Sequence, residues 1–246
     1  MSFKNERGFG KIALMQKHVA PHKNARPLGI GSYSVSEAAR LLKIDARNIR
    51  RWLGGYQNKD EHHPPLWNTQ WPIRERHLEL GFRDLMELRL IARFLNAGLS
   101  MRALRLCLKH ASDVIGDDHP LSTRKFQTDG QTIFLEAADK DADAILDLKS
   151  KQLSFRQMIA ESFLDLDLNE DGTVIRWRPF HGRKSIVIDP LRAFGQPILA
   201  VAGIPTLTLA QAYEAEGSEE AVAALYDVTP QAVRDALQFE KELLAA

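Results

Sequence analysis

The chain has 246 residues, of which 44% are apolar and 26% are charged. These values are ordinary for a folded protein of one or two domains, and they exclude an intrinsically disordered chain. No apolar run is long enough to cross a membrane, and the first twenty residues lack the apolar core of a signal peptide, so we expect a cytoplasmic protein with no membrane partner. Cys107 is the only cysteine, which excludes an intrachain disulfide and a cysteine-based metal site and favours a buried thiol.

Charge is distributed unevenly along the chain. Residues 1–60 contain 12 Lys/Arg against 4 Asp/Glu, whereas residues 190–246 contain 3 against 8. A basic head and an acidic tail favour a head that meets phosphates and a tail that meets a different partner. Chance unevenness of a solvated surface is the alternative. Residues 1–31 form a basic leader that ends in glycines and a proline, and we expect it to be mobile.

Two short helices joined by a tight turn are predicted at residues 34–53. Ser34 and Glu37 have the spacing of a capping box, so the first helix should begin at Val35. The turn is at Lys43–Ile44, and Asp45 should cap a second helix from Ala46. The spacing i, i+3, i+4 then directs one face of the second helix inward, formed by Ile49, Trp52 and Leu53.

The outward face of this second helix is rich in arginine. It consists of Arg47, Asn48, Arg50 and Arg51. Arginine can donate two hydrogen bonds to guanine, asparagine can pair with adenine, and both bind phosphate. This face therefore predicts binding in the major groove of duplex DNA. The alternative is a solvated basic helix in a small helical bundle.

Residues 57–77 occupy the position of a wing. Gly54 and Gly55 should end the helix before Tyr56. The following stretch is polar and contains prolines, and arginines at positions 74 and 76 near Trp71 are suited to the sugar-phosphate backbone. The histidines in this stretch lack acidic or thiol partners at ligand spacing, so we predict no metal site.

The middle and the end of the chain alternate helix and strand signals. We predict an amphipathic helix at 82–96, a second one capped by Ser100, a hairpin with its turn at Asp129–Gly130, and a short helix at 141–150. Residues 151–159 are compatible with strand or helix. Asp171–Gly172 is a turn before strands at 174–178 and 185–188, and three helices follow at 207–216, 218–226 and 230–242.

The last two helices form a second helix-turn-helix shape. Its predicted outward residues are Gln231, Arg234 and Asp235, in acidic surroundings that repel phosphate. We interpret it as a protein-binding or packing module, with DNA contact as the alternative.

No catalytic pattern is present. The sequence lacks a glycine-rich phosphate loop and a nucleophile elbow. The acidic residues between 165 and 171 lie on one polar turn, whereas a catalytic metal site needs carboxylates that converge from separate elements. We therefore predict that the protein is not an enzyme and that it needs no cofactor.

These residues resemble two known families. The Val35–Leu42 run, the Ala46–Trp52 helix and the passage Gly81–Ile91 followed by Asn96–Ser100 resemble the MerR-type DNA-binding head. The runs Asp189–Pro190, Phe194–Ile198, Gly203–Thr206 and Tyr226–Val228 resemble a small antitoxin domain over residues 185–240. Bacterial VapB-type antitoxins join these two parts in one chain, and the resemblance covers nearly everything after residue 29.

The resemblance implies a mainly α chain with a small β-rich middle, hence an α+β fold. It divides the chain into the leader 1–31, a MerR-like winged helix-turn-helix domain 32–115, a β-rich connecting segment with a hairpin at 116–184, and a helical homeodomain-like antitoxin module at 185–246. The long effector-sensing helix of MerR regulators is replaced by the connecting segment, so small-molecule sensing is not implied.

The resemblance also implies a type II toxin–antitoxin system. The partner would be a PIN-like RNase toxin, bound within residues 185–246, and the head would bind promoter DNA of its own operon as a homodimer and repress it. By motif match the resemblance implies DNA contacts at Arg47, Asn48, Arg50 and Arg51. We add Tyr56 and Arg74, at and within the wing region, as predicted DNA contacts. The alternative function is a MerR-like transcription regulator that responds to a small ligand.

Overall fold

The computed structural model describes residues 29–58, 61–73, 77–138, 152–180 and 183–245, with the side chains of 152–154 excepted. Within these residues the fold is α+β, with nine α-helices and three small antiparallel sheets, which confirms the predicted class. None of these helices combines the length and the apolar content that a bilayer-spanning segment needs. Residues 1–28, Arg74 and the helix predicted at 141–150 lie outside the described residues.

The helices and strands follow the chain in this order. The helices are α1 (Val35–Leu42), α2 (Ala46–Gly54), α3 (Phe82–Asn96), α4 (Met101–Ile115), α5 (Arg124–Ala138), α6 (Gln152–Ser162), α7 (Thr206–Glu216), α8 (Glu219–Tyr226) and α9 (Pro230–Leu244). The strands are β1 (Tyr33–Ser34), β2 (Tyr56–Asn58), β3 (Glu61–His63), β4 (Glu79–Leu80), β5 (Leu166–Leu168), β6 (Val174–Trp177), β7 (Ile186–Ile188) and β8 (Pro197–Leu199).

The predicted caps of α1 and α2 are confirmed. The Glu37 backbone N–H donates to the Ser34 hydroxyl at 3.2 Å, and the Ser34 backbone N–H donates to the Glu37 carboxylate at 2.7 Å. Lys43 ends α1 in the left-handed conformation, with φ 56°. The Asp45 carboxylate then accepts the Arg47 N–H at 2.7 Å, a cap that contributes about 1 kcal/mol.

The main core lies between α2, α3, α4, α5 and α6. At its centre is a cluster of phenylalanine rings: the Phe94 and Phe155 rings stack at 4.7 Å, and the Phe126 and Phe134 rings meet edge to face at 5.3 Å. Cys107 is buried in the same core, as predicted, and burial raises the pKa of its thiol to about 12. This packing fixes α3 and α4 beneath the α1–α2 pair.

The hairpin predicted at Asp129–Gly130 is wrong, because these residues lie inside α5. Thr123 accepts the N–H of Phe126 at 3.2 Å and so caps the helix. A Cβ at residue 130 would lie 2.9 Å from the Phe126 ring, so Gly130 provides room for an aromatic side chain and does not make a turn. Helix α6 occupies the segment left open between strand and helix, so the described part of 116–184 contains two α-helices, α5 and α6, besides strands β5 and β6.

Strands β5, β6, β7 and β8 form one antiparallel sheet in that order. The turn at Asp171–Gly172 joins β5 to β6 as predicted, and Trp177 of β6 pairs with Ile188 of β7. The sheet therefore crosses residue 185 and connects the main core to the carboxy-terminal helices. Helices α7, α8 and α9 enclose a second, smaller core, whose buried side chains include Leu209, Val222, Val233 and Ala236.

The first residues of the described chain are bonded to the loop before β8, to Trp71 and to the start of α3. The Tyr33 hydroxyl donates to the Gly195 carbonyl at 2.8 Å, and the Ser32 N–H donates to the Phe194 carbonyl at 3.0 Å. The Phe82 N–H donates to the Ile30 carbonyl at 2.7 Å, and the Trp71 indole donates to the Gly31 carbonyl at 2.9 Å. Ile30 and Gly31, at the end of the segment predicted as a mobile leader, are therefore hydrogen-bonded parts of the fold.

Candidate nucleic-acid interface

The outer face of α2, defined as Arg47, Asn48, Arg50 and Arg51, is exposed to solvent. The opposite face is buried in the main core through Ile49, Trp52 and Leu53. The predicted division of this helix into an inward and an outward face is thus confirmed. A helix held from one side by its apolar residues presents the other side as a rigid surface.

The arginines of this face differ from several other described arginines in their partners. None of Arg47, Arg50 and Arg51 forms an ion pair with a described acidic side chain. Elsewhere, the Arg83 guanidinium meets the Asp117 carboxylate at 3.0 Å, and that of Arg178 meets the Asp167 carboxylate at 2.6 Å. The charge of the outer face is therefore not neutralised by the described part of the fold, and it can be neutralised by an anionic partner.

A stack of three side chains joins α2 to the β2–β3 hairpin. The Arg51 guanidinium lies 4.2 Å from the centre of the Tyr56 ring, and the Tyr56 ring stacks on the His63 ring at 4.4 Å. Tyr56 and His63 are register partners in the hairpin, so β pairing places one ring over the other. The hairpin is the element found where a wing was predicted, and the stack fixes its position beside the arginines.

The base of the hairpin is attached to the main core at two points. The Leu66 N–H donates to the Trp52 carbonyl of α2 at 2.7 Å. The Arg105 guanidinium of α4 donates to the Pro64 carbonyl at 2.7 Å. These bonds connect the segment that follows β3 to both helices, so the hairpin and the outer face of α2 are held in one arrangement.

On the other side of α2, Arg50 borders a concave groove of about 490 Å³. Its lining includes Ser34, Ser36, Ile73 and His77. Hydroxyl groups and an arginine are typical phosphate contacts. The predicted contact Arg74 lies outside the described residues, so the groove is described without it.

A buried polar network fixes α3 beneath this surface. The Asp84 carboxylate accepts from the Trp67 indole at 2.8 Å, from the Gly81 N–H at 2.8 Å and from the His119 ring at 2.8 Å. Glu87, one turn later, accepts from the backbone N–H of Ser122 at 2.9 Å. Burial raises the pKa of Glu87 to about 7, although nearby His119 and Arg83 oppose the shift.

Sequence reasoning missed two features of the surface. His63 belongs to the stack with Tyr56, and only the strand register could have paired the two residues. Lys43, at the turn between α1 and α2, is exposed and adds a cation next to the outer face. In the sequence Lys43 is recognisable only as a turn residue, and its contribution to the surface charge is not evident. No group of His, Cys, Asp and Glu side chains suited to a metal ion is found in the described part of the chain.

The second helix pair, α8–α9, requires one correction. Asp235, predicted to face outward, is buried, and its carboxylate accepts from Arg183 at 2.6 Å and from Gln231 at 2.9 Å. Burial alone would raise the pKa of Asp235, but these hydrogen bonds and the Arg183 charge lower it below the ordinary value. Arg234 is exposed but is bonded to Glu219 at 2.7 Å, so this pair presents no unpaired arginine comparable to those of α2.

Comparison with known proteins gives related chains. The family model described as "Protein of unknown function (DUF433)" matches residues 186–239. The Mycobacterium tuberculosis protein named "Putative antitoxin VapB45" is 25% identical over 220 residues, which cover 83% of this chain and 92% of that protein. "Uncharacterized protein Rv2308" from the same organism is 22% identical and covers 85% of this chain and 90% of that protein.

One solved structure shares the fold. The crystal structure of Rv2018 from Mycobacterium tuberculosis superimposes with a TM-score of 0.67 at 24% sequence identity, and the alignment covers 86% of this chain and 98% of that one. The arrangement of the main core, the sheet and the carboxy-terminal helices is therefore also found in that protein. Over most of its length the chain is similar to a protein with an antitoxin name.

Proposed function

We propose that this protein is the antitoxin of a type II toxin–antitoxin system, which binds and neutralises a PIN-like RNase toxin and represses its own operon as a homodimer on promoter DNA. The observation that carries the proposal is the outer face of α2, whose three arginines are exposed and have no described acidic partner. The similarity to the protein named "Putative antitoxin VapB45" supports the antitoxin role.

The DNA-binding part of the proposal follows from the charge and shape of α2. A helix of nine residues with arginine and asparagine on one side fits the major groove, where Arg reads guanine and Asn reads adenine. The β2–β3 hairpin beside it, held by the stack of Arg51 on Tyr56, is in the position of a wing on the DNA backbone. Release of counterions from neutralised phosphates would supply much of the affinity.

The toxin-binding part concerns exposed apolar side chains in the region of residues 186–239. The two loops before and after β8 are named the apolar loop pair, because they carry three exposed apolar side chains. Leu191 is 77% exposed, Phe194 79% and Val201 99%. Ala193 and Phe194 both have positive φ, at 46° and 56°, a conformation that costs free energy in residues other than glycine. A strained backbone that presents a phenylalanine to solvent is typical of a recognition loop, and exposed apolar patches mark protein–protein contacts.

The toxin arm is tested by co-expression with the product of the adjacent gene. The full-length protein should retain that product in a pull-down and should rescue growth from it. Phe194→Ser should weaken retention by about tenfold or more, because aromatic anchors dominate protein interfaces. The matched control is Leu164→Ser, since Leu164 is 83% exposed but lies outside residues 186–239. Equal effects of the two substitutions would contradict the assignment of the apolar loop pair.

The DNA arm is tested independently, with a fragment of the operon's own promoter and fluorescence anisotropy. Arg50→Ala should cost about 1–3 kcal/mol of binding free energy if Arg50 reads a base. Retention of the toxin by this variant should stay unchanged. Unaltered promoter affinity in Arg50→Ala would refute the role assigned to α2 and leave the toxin arm standing.

A further inference from the structure

A concave cavity of about 400 Å³ lies between the segment after β3 and the side of α4. One wall is formed by Leu66 and Trp67, and the other by Arg105, Leu108 and Lys109. This volume is within the range of pockets that bind small molecules. The Trp67 indole is held in place by its hydrogen bond to Asp84 at 2.8 Å, so the apolar wall is fixed before any ligand arrives.

The guanidinium of Arg105 has one amino group engaged and one without a partner. Its Nη1 donates to the Pro64 carbonyl at 2.7 Å, which fixes the orientation of the whole planar group. Its Nη2 is buried, and no acceptor among the described residues bonds to it. Arginine stays protonated in proteins, so this amino group presents positively charged N–H donors that need an acceptor. Because the Nη2 atom is closed to solvent, a ligand acceptor reaches it only after a small shift of the side chains around it, and would then satisfy the unmet donors.

The remaining charges of the cavity narrow the class of ligand. Lys109 lies one helical turn after Arg105 on α4 and is exposed at the same cavity. Asp113 and Asp118 also line it, and both are exposed, where solvent screens their charge. Glu87 borders the cavity too, but its carboxylate oxygens are bonded to the backbone N–H groups of Leu121 and Ser122. The unmet donor is therefore that of Arg105, next to apolar walls.

We propose that this cavity binds a small organic carboxylate, with the carboxylate on the free amino group of Arg105 and the apolar part against Leu66, Trp67 and Leu108. Lys109 is exposed like Asp113 and Asp118, so its charge is screened too and its contribution to binding the carboxylate is small. A neutral apolar molecule leaves the Arg105 donor unmet, and a compact inorganic anion leaves the apolar walls unused. Neither matches the cavity as a whole.

The position of the cavity gives its ligand a route to the outer face of α2. Pro64 and Leu66 belong to the segment that forms the cavity wall, and Leu66 is bonded to the Trp52 carbonyl of α2 at 2.7 Å. A ligand that tightens Arg105 and this segment acts on the base of the β2–β3 hairpin. An effect on promoter binding rests on the proposed function, whereas binding of the carboxylate itself does not.

The test uses benzoate as the probe and benzyl alcohol as its neutral counterpart, measured on the full-length protein by ligand-observed NMR and calorimetry without DNA. Benzoate should bind with a Kd of about 1 mM or tighter, and benzyl alcohol at least about tenfold more weakly. Arg105→Gln should weaken benzoate binding about tenfold, and Lys109→Gln about two- to threefold. Arg102→Gln, one turn earlier on α4 and outside the cavity lining, is the matched control and should bind as the wild type does.

The measurements distinguish a loss of ligand binding from a loss of stability. Because Arg105 also holds Pro64, thermal unfolding of Arg105→Gln is measured alongside, and Lys109→Gln, whose side chain is exposed, supplies the readout if Arg105→Gln is unstable. Absence of benzoate binding, equal binding of benzyl alcohol, or an unchanged Kd in the stable cavity variants would overturn the proposal. None of these results bears on promoter binding by α2, so the proposed function stands or falls by its own experiments.

Discussion

The α1–α2 pair and the α8–α9 pair are built alike and differ in their surface charge. In both, a serine caps a first helix of eight residues, a left-handed residue ends it, and a capped second helix follows after a three-residue turn. Even the turn hydrogen bonds match, from Ile44 N–H to the Ala39 carbonyl at 3.1 Å and from Val228 N–H to the Ala223 carbonyl at 3.0 Å. Local geometry alone therefore does not decide what such a pair binds.

What distinguishes the pairs is how their arginines are used. The guanidinium of Arg234 in the second pair is bonded to Glu219 and Gln231, and Asp235 is bonded to Arg183. The arginines of the outer face of α2 have no such partners among the described residues, and Arg51 stacks on an aromatic ring. The lesson is that the state of pairing of the cations, more than their number, separates a surface suited to phosphate from one suited to packing.

The largest effect is expected from reversing charge on the first pair. Arg50→Glu combined with Arg51→Glu should lower promoter affinity about a thousandfold, because like charges opposite phosphate cost several kcal/mol. Both residues are exposed, so the unfolding temperature should change little. The corresponding control on the second pair is Arg234→Glu; a comparable loss of affinity in that variant would abolish the distinction between the two pairs.

The next largest effect is on the pH dependence of stability, which should differ between two buried carboxylates, Glu87 near the first pair and Asp235 in the second. The folded-state pKa of Glu87 is raised from 4.5 to about 7, so the folded protein holds more protons than the unfolded chain between these values. Stability is then lost as pH rises through this window, by up to about 3 kcal/mol. Glu87→Gln should gain that amount relative to wild type between pH 4.5 and 8 in urea unfolding; a constant difference would contradict the raised pKa.

Asp235 should show the opposite dependence and a smaller effect. Its folded-state pKa is lowered, so its contribution to stability is present at neutral pH and is lost as pH falls through the lowered value. Since Arg183 is largely exposed, we expect Asp235→Asn to cost about 1 kcal/mol at pH 7. The cost should shrink in acid, as measured by urea unfolding, and a cost that grew in acid would contradict the assigned sign.

The smallest effect concerns the stack that positions Arg51. Tyr56→Ala removes the ring under the guanidinium and should weaken promoter binding by about 0.5–1 kcal/mol, the size of an exposed cation–π contact. Tyr56→Phe keeps the ring and should bind nearly as the wild type does, in the same anisotropy assay. If Phe and Ala behaved identically, the stack would have no part in positioning Arg51.

The sequence predicted the parts of the fold that depend on local signals. The caps Ser34, Asp45 and Ser100 and the periodicity of Ile49, Trp52 and Leu53 placed the helices and the outer face of α2 correctly. Local signals predicted the wrong conformation or exposure where contact with another side chain determines the outcome. The glycine at position 130 makes room for a phenylalanine ring within α5, and Asp235 is turned inward by Arg183, 52 residues away.

The candidate site divides in the same way. The arginines of α2 could be predicted from spacing, because a helix face repeats with a known period. The stack of Arg51, Tyr56 and His63 depends on the strand register of the hairpin, and the unpaired amino group of Arg105 depends on how Pro64 meets α4. Neither arrangement has a signature in the sequence.

The salt dependence of promoter binding tests the central claim most directly. The logarithm of the association constant is measured against the logarithm of salt concentration for the wild type, Arg47→Ala and Arg234→Ala. If Arg47 neutralises a phosphate, its loss should reduce the slope by about 0.9, the value for one released counterion on duplex DNA, while Arg234→Ala should keep the wild-type slope. A slope that stays the same in Arg47→Ala, or falls equally in both variants, would contradict the assignment of α2 as the DNA-binding helix.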